Sequence, residues 1–143
     1  MTKLDGFFEL RTAKQLFEKL ESDFERLKAL PPISKEAQYA ALDFFVTAEH
    51  LPEWVARGTG ANLLALRGYA DGPLVSHIAN GAKHFRVDPN RHSAARDTQA
   101  HSGAFDPDVF ANGTFDLDRL VVEHEDGQSE DLLDLVGRIL HHW

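Results

Sequence analysis

Asn80 and His84 stand four residues apart, a spacing that sets both on one side of a helix with Lys83 one step round. An imidazole so placed can act as general acid or base on a ribose 2′-hydroxyl or a leaving oxygen, while a cation stabilises charge building on phosphate. Lys83 or Arg86 can supply that cation. The segment that follows is a basic island in an acidic chain: Lys83, Arg86, Arg91 and Arg96, with His84, His92 and His101, against only Asp88 and Asp97. Such a surface can track a nucleic-acid backbone or pair with an acidic partner, and protonated histidines strengthen either contact. Against these readings stand two plainer ones. Asn80 and His84 can cap or bridge a buried helix end, and the basic loop can simply be solvated.

Asp43 and His50 are separated by seven residues, as are His77 and His84, so each pair lies two turns apart on its own helix. Packed antiparallel, two such helices can offer four donors. Yet seven residues place the donors of one pair roughly 10 Å apart along the axis, too far for one ion at about 2 Å. No His-Glu-x-x-His and no paired Glu-x-x-His occurs either. A metal-binding bundle is therefore the third reading, and no metal ligands are assigned. Asp43 is instead expected to accept a hydrogen bond from His50 or His84 and so orient the ring. Nucleophile elbows, phosphate-cradling glycine loops and dinucleotide fingerprints are absent, and no cofactor is expected.

The elements that must position these residues follow from periodicity. Ala13, Leu16, Phe17, Leu20, Phe24 and Leu27 recur at helical spacing over Ala13 to Ala29, with a Thr12/Gln15 capping box before and Pro31-Pro32 after. Ser34 caps a second helix to about Arg57, which is apolar along Ala37, Ala40, Ala41, Phe44, Ala48, Leu51 and Val55 and is widened by Phe45 and Val46. Beside that stripe run Asp43, Thr47, His50 and Trp54, whose polar groups need partners if buried. After Gly58-Thr59-Gly60 comes a short helix around Ala61 to Tyr69. The turn Asp71-Gly72-Pro73 opens the helix that bears the motif, expected to turn Leu74, Ile78, Gly81, Ala82 and Phe85 inward.

From Arg86 to Asn112 the periodicity dissolves into a connection far longer than compact domains favour. Asn112-Gly113 and Asp126-Gly127 then flank Phe115 to Glu125, where Leu120-Val121-Val122 reads as a strand and a small β-hairpin is expected. Ser129 is the expected cap of a last helix that presents Leu132, Leu135, Val136, Ile139 and Trp143 on one side, with His141 and His142 at its negative end.

Composition bounds the function. The 143 residues suit one compact domain, and 43% hydrophobic content with ten Phe and two Trp suits an ordinary core. The absence of cysteine excludes disulfides, thiolate metal sites and cysteine nucleophiles, and fits a reducing, cytoplasmic setting. No apolar run approaches the roughly 20 residues that span a bilayer, and no membrane partner is expected. A net charge of −8 argues against coating of duplex DNA by charge alone.

The run Ala79-Asn80-Gly81-Ala82-Lys83-His84 resembles the motif of HEPN domains, helical bundles of bacterial defence and toxin systems. Their ribonucleases carry an Arg, a polar residue that is often Asn, a few residues and then His on one helix. Asn80 and His84 match the second and last positions, and Ala79 stands where the Arg would be. The chain also resembles uncharacterised phage- and prophage-type proteins through Asp43-Phe44-Phe45-Val46-Thr47-Ala48 with His50 and Trp54, through Ile78 to Phe85, and through Leu120-Val121-Val122. The periodic elements give a mainly α fold, a bundle of about five helices with a small β-hairpin before the C-terminal helix, which resembles one HEPN-like helical domain over residues 1–143. The phage-type resemblance implies no known activity; with the HEPN-like one, the expected function is a phage- or defence-associated binding module for RNA or a protein partner, non-catalytic for want of the Arg. The rival reading is a metal-independent endoribonuclease using His84, Asn80 and Lys83, as a homodimer that brings two motifs together.

Overall fold

The computed structural model describes residues 8–84, 95–101 and 119–143. They form α1 (Ala13–Ala29), α2 (Lys35–Thr59), α3 (Leu63–Arg67), α4 (Gly72–His84), β1 (Ala95–His101), β2 (Arg119–His124), β3 (Ser129–Asp131) and α5 (Leu132–His142). The architecture is mainly helical, with a β-hairpin just before the C-terminal helix, as the periodicity implies.

Local chemistry sets the first two helices. The Thr12 hydroxyl accepts from the Gln15 backbone N–H at 3.2 Å while the Gln15 amide oxygen accepts from the Thr12 N–H at 3.1 Å, closing the capping box. Ser34 Oγ accepts from the Ala37 N–H at 3.0 Å and starts α2. That helix ends where Gly60 adopts φ 75° and donates its N–H to the Ala56 carbonyl at 2.8 Å, a left-handed cap that glycine takes without steric cost.

The core lies where α1, α2, α4 and α5 meet the sheet. Leu20, Phe44, Phe45, Leu51, Val75, Val122, Leu135, Val136 and Ile139 are almost wholly buried, and the rings of Phe44 and Phe45 meet edge to face at 5.8 Å. Burial of each such side chain is worth about 1.5–3 kcal/mol, so this cluster is the main source of stability. Between α1 and α2 two polar residues, Asp23 and Thr47, are buried and satisfied. Asp23 accepts from Lys19 Nζ at 2.8 Å, and the same ammonium donates to Thr47 Oγ1 at 2.8 Å.

Several expectations are corrected. Val46 does not widen the buried stripe but is 36% exposed, because α1 and α4 cover α2 only on its two flanks. On α4 the inward face is Leu74, Val75, Ile78 and Ala79, while Ala82 is exposed and Gly81 half-buried. The stretch expected to be a structureless connection contains β1, which pairs antiparallel with β2 and extends the hairpin into a three-stranded sheet in the order β1-β2-β3, with β2 central. Its sequence, Ala-Arg-Asp-Thr-Gln-Ala-His, lacks the apolar alternation that marks a half-buried strand. Ser129 belongs to β3, and the cap of α5 is Asp131, whose side chain accepts from the Leu133 N–H at 2.8 Å. The Asp126-Gly127 turn is where it was expected, with Gly127 at φ 85°. Asn112-Gly113 and Phe115 lie outside the described residues.

Candidate functional site

Asn80 sits in the last two turns of α4, half-buried, and its Nδ2 donates to the Ser76 carbonyl one turn back at 2.8 Å. The amide is thus engaged with its own helix. Ala79, one residue earlier, is 5% exposed and part of the inward face. Lys83 and His84 complete α4, their side chains outside the description. Arg86 and Arg91 lie outside the described residues, as does His92. Arg96 and His101 belong to β1, which touches α4. The register between β1 and β2 shifts between Ala95 and Asp97, so Arg96 occupies a β-bulge, a device that re-aims a strand locally. The fold therefore brings the strand of Arg96 to the helix of Asn80, Lys83 and His84.

Asp43 and His50 do not join that group. Asp43 is an exposed residue on the α1 flank of α2, where it forms an ion pair with Arg26 Nη2. His50 is exposed as well. The expected hydrogen bond from His50 to Asp43 is replaced by a guanidinium from the neighbouring helix, the stronger charge-assisted donor. Thr47 is buried and Trp54 half-buried, as a stripe turning into the core requires. Among the described residues, no three His, Asp or Glu side chains gather as a metal site would need. No described helix is long and apolar enough to cross a membrane.

Two polar constellations that spacing did not reveal hold the base of α4. In the first, Ser76 Oγ donates to Glu49 Oε2 at 2.6 Å, tying α4 to α2, and Arg67 Nη2 approaches Glu49 Oε1 at 4.0 Å. Arg67 Nε is buried with no hydrogen-bond partner among the described residues. In the second, Arg138 of α5 donates to both carboxylate oxygens of Asp71, at 3.0 and 2.8 Å, and to both of Glu130, at 2.8 and 3.0 Å. His124 Nε2 lies 2.7 Å from Glu130 Oε1. One guanidinium thereby joins the turn before α4, helix α5, strand β3 and, through Glu130, strand β2. The hydrogen bonds from Arg138 hold the Glu130 carboxyl below its usual range against the opposing effect of burial, and Asp71 above all holds the guanidinium above its own.

Tyr69 lies between the two constellations. His142 stacks on its ring at 4.2 Å and Trp143 meets it edge-on at 5.5 Å. Burial pushes the Tyr69 hydroxyl up to about 12, opposed by the nearby indole of Trp143 and reinforced by the negative charges of Glu49 and Asp71. The indole edge is close enough to favour the tyrosinate, yet Trp143 Nε1 itself makes no well-aligned hydrogen bond among the described residues. A pattern search has no access to these groups, since Asp71 and Arg138 are 67 residues apart.

Searched against protein-family models, the chain matches none, and neither the curated proteins nor the solved structures yield a match.

Proposed function

We propose that this protein is a non-catalytic binding module that engages RNA through the far end of α4, with Asn80, Lys83 and His84 on the helix, Arg86 following it, and Arg96 on the adjoining strand. The observation that carries the reading is the burial of position 79. In the HEPN motif that the segment resembles, the Arg that stabilises phosphate charge precedes the Asn; here the residue is Ala79, 5% exposed among Leu74, Val75 and Ile78. A cation at that position would enter the core, which favours a binding role for this helix over cleavage. Asn80 adds to this by spending its amide on the Ser76 carbonyl. Support for a nucleic-acid partner comes from the contact of α4 with β1, which puts Lys83 and Arg96 on adjoining elements of an otherwise acidic chain. The setting that fits is the phage- or defence-associated one.

The test incubates purified protein with labelled total RNA, with and without chelator, and reads retardation and cleavage together. Retardation without cleavage is expected, weakened by Lys83→Ala and by Arg86→Ala and lessened as salt rises. Cleavage that survives chelator and disappears in His84→Ala would replace this reading with the metal-independent ribonuclease. Neither retardation nor cleavage would refute both and leave the basic segment to a protein partner.

A further inference from the structure

α2 carries an exposed ridge that its neighbours in the chain leave open. On a helix turning about 100° per residue, Lys35, Tyr39, Leu42, Val46, His50 and Glu53 fall along one line. On one side of that line Asp43 reaches α1 through Arg26, and on the other Glu49 reaches α4 through Ser76. Between them Tyr39 is 61% exposed, Leu42 40% and Val46 36%. Single exposed apolar residues are ordinary, but three in register on the most buried helix of the bundle form a seam. Its ends are charged with opposite sign. Lys35 opens the line and Glu53 closes it; both are exposed, and neither has an ion-pair partner among the described residues.

That polarity is self-complementary. If a second α2 is laid antiparallel so that Leu42 faces the second copy's Val46, the two-fold axis passes the level of Phe44. The same register sets Lys35 against the second copy's Glu53, and Tyr39 beside the second copy's Glu49 and His50. Every contact then occurs twice, as an isologous interface requires. A parallel pairing would instead stack Lys35 on Lys35 and Glu53 on Glu53. We infer that the outer face of α2 is a self-association surface, on which two copies of this chain pair antiparallel about Leu42 and Val46 with Lys35–Glu53 pairs at both ends. This goes beyond the RNA reading, uses other residues and is tested without RNA. A seam of one helix per copy lies at the small end of specific interfaces, so the dimer is weak and depends on concentration.

Sedimentation velocity of the full chain from micromolar to millimolar concentration is the test. A monomer–dimer equilibrium is expected, which Leu42→Lys weakens by at least about tenfold, a loss of 1.4 kcal/mol. Leu42 is exposed, so the far-ultraviolet circular dichroism and melting of that variant should match wild type. Lys35→Glu alone and Glu53→Lys alone should each weaken the dimer, because each sets like charges opposite one another. The double variant restores both pairs with reversed sign and should recover dimerisation. A monomer at every concentration would overturn the inference and leave the ridge to a different protein. So would a dimer indifferent to Leu42→Lys, or a double swap no better than the single ones.

Discussion

Removing Arg138 should loosen four elements at once, and the size of the effect can be worked from its contacts. The guanidinium makes paired hydrogen bonds to Asp71 and to Glu130, whose side chains are 15% and 21% exposed, while its own is 50% exposed. Fully exposed ion pairs contribute roughly 0–1 kcal/mol, and truncating one partner of a buried pair costs about 3–5 kcal/mol. The solvent reaching Arg138 discounts the second figure heavily. Arg138→Ala nevertheless leaves two largely desolvated carboxylates without their shared donor, so a cost of about 2 kcal/mol is expected, against about 1 kcal/mol for Asp71→Ala. Once Arg138 is gone Asp71 has lost its donor, and the double variant should be no worse than about 2 kcal/mol, which gives a coupling energy near 1 kcal/mol. Urea unfolding followed by circular dichroism at neutral pH and low salt measures all four corners of the cycle. The Arg138→Ala melting temperature should fall by roughly 4–8 °C. A coupling below about 0.3 kcal/mol, the ordinary scatter of additivity, would refute the view that this guanidinium clasps the turn before α4 to α5.

Glu130 gives the same network a pH signature. Its folded-state pKa is depressed, first by the hydrogen bonds from Arg138, so its contribution is present above the ordinary carboxylate value of 4.5 and is lost as pH falls through the lower folded value. The stability gap between wild type and Glu130→Gln, from urea midpoints, should therefore be constant near neutrality and close below pH 4.5; a gap that widens on acidification would show the sign to be wrong. Gly72→Ala should also be costly, because a Cβ at that position would lie 2.2 Å from the Arg67 carbonyl oxygen, a backbone atom that cannot swing aside. A loss of roughly 1–3 kcal/mol is expected, since the backbone must shift, and an unchanged urea midpoint would exclude the close approach.

How far each feature could be read from the sequence depended on how local its cause is. The limits of α1 and the start of α2 were legible because Thr12, Gln15 and Ser34 act within three residues of where they stand. The start of α5 was not, because Ser129, Glu130 and Asp131 offer two capping side chains and the choice is made by pairing with β2, where Glu123 faces Ser129 and Val121 faces Asp131. β1 escaped for the same reason: a polar strand is held by its partner's backbone, and its own residues carry no period. At the candidate site, periodicity put Asn80, Lys83 and His84 on one helix, but the rotation of that helix was misjudged by about one residue, so Ala82 was expected inside and Ala79 was not. Asp43 was assigned to His50 or His84 on helical spacing alone; the Arg26 that it takes comes from a neighbouring helix, which spacing within α2 and α4 does not reveal.

The distribution of polar partners bears on how α4 is held. Catalytic groups are held ready by strain, burial or like charge, and a carboxylate meant for acid or base work is commonly left without a full set of donors. Here the carboxylates nearest α4 are occupied by donors from other elements: Glu49 by Ser76, Asp71 and Glu130 by Arg138. Their effect is mechanical. They tie the first turns of α4 to α2, through Glu49, and the turn before it to α5, through Asp71. An anchored helix lowers the ordering cost of association, so these ties are compatible with the binding role proposed above. The orphaned Arg67 Nε, at the end of α3, lies beside Glu49 at that anchored base and not beside the residues on which the RNA reading depends.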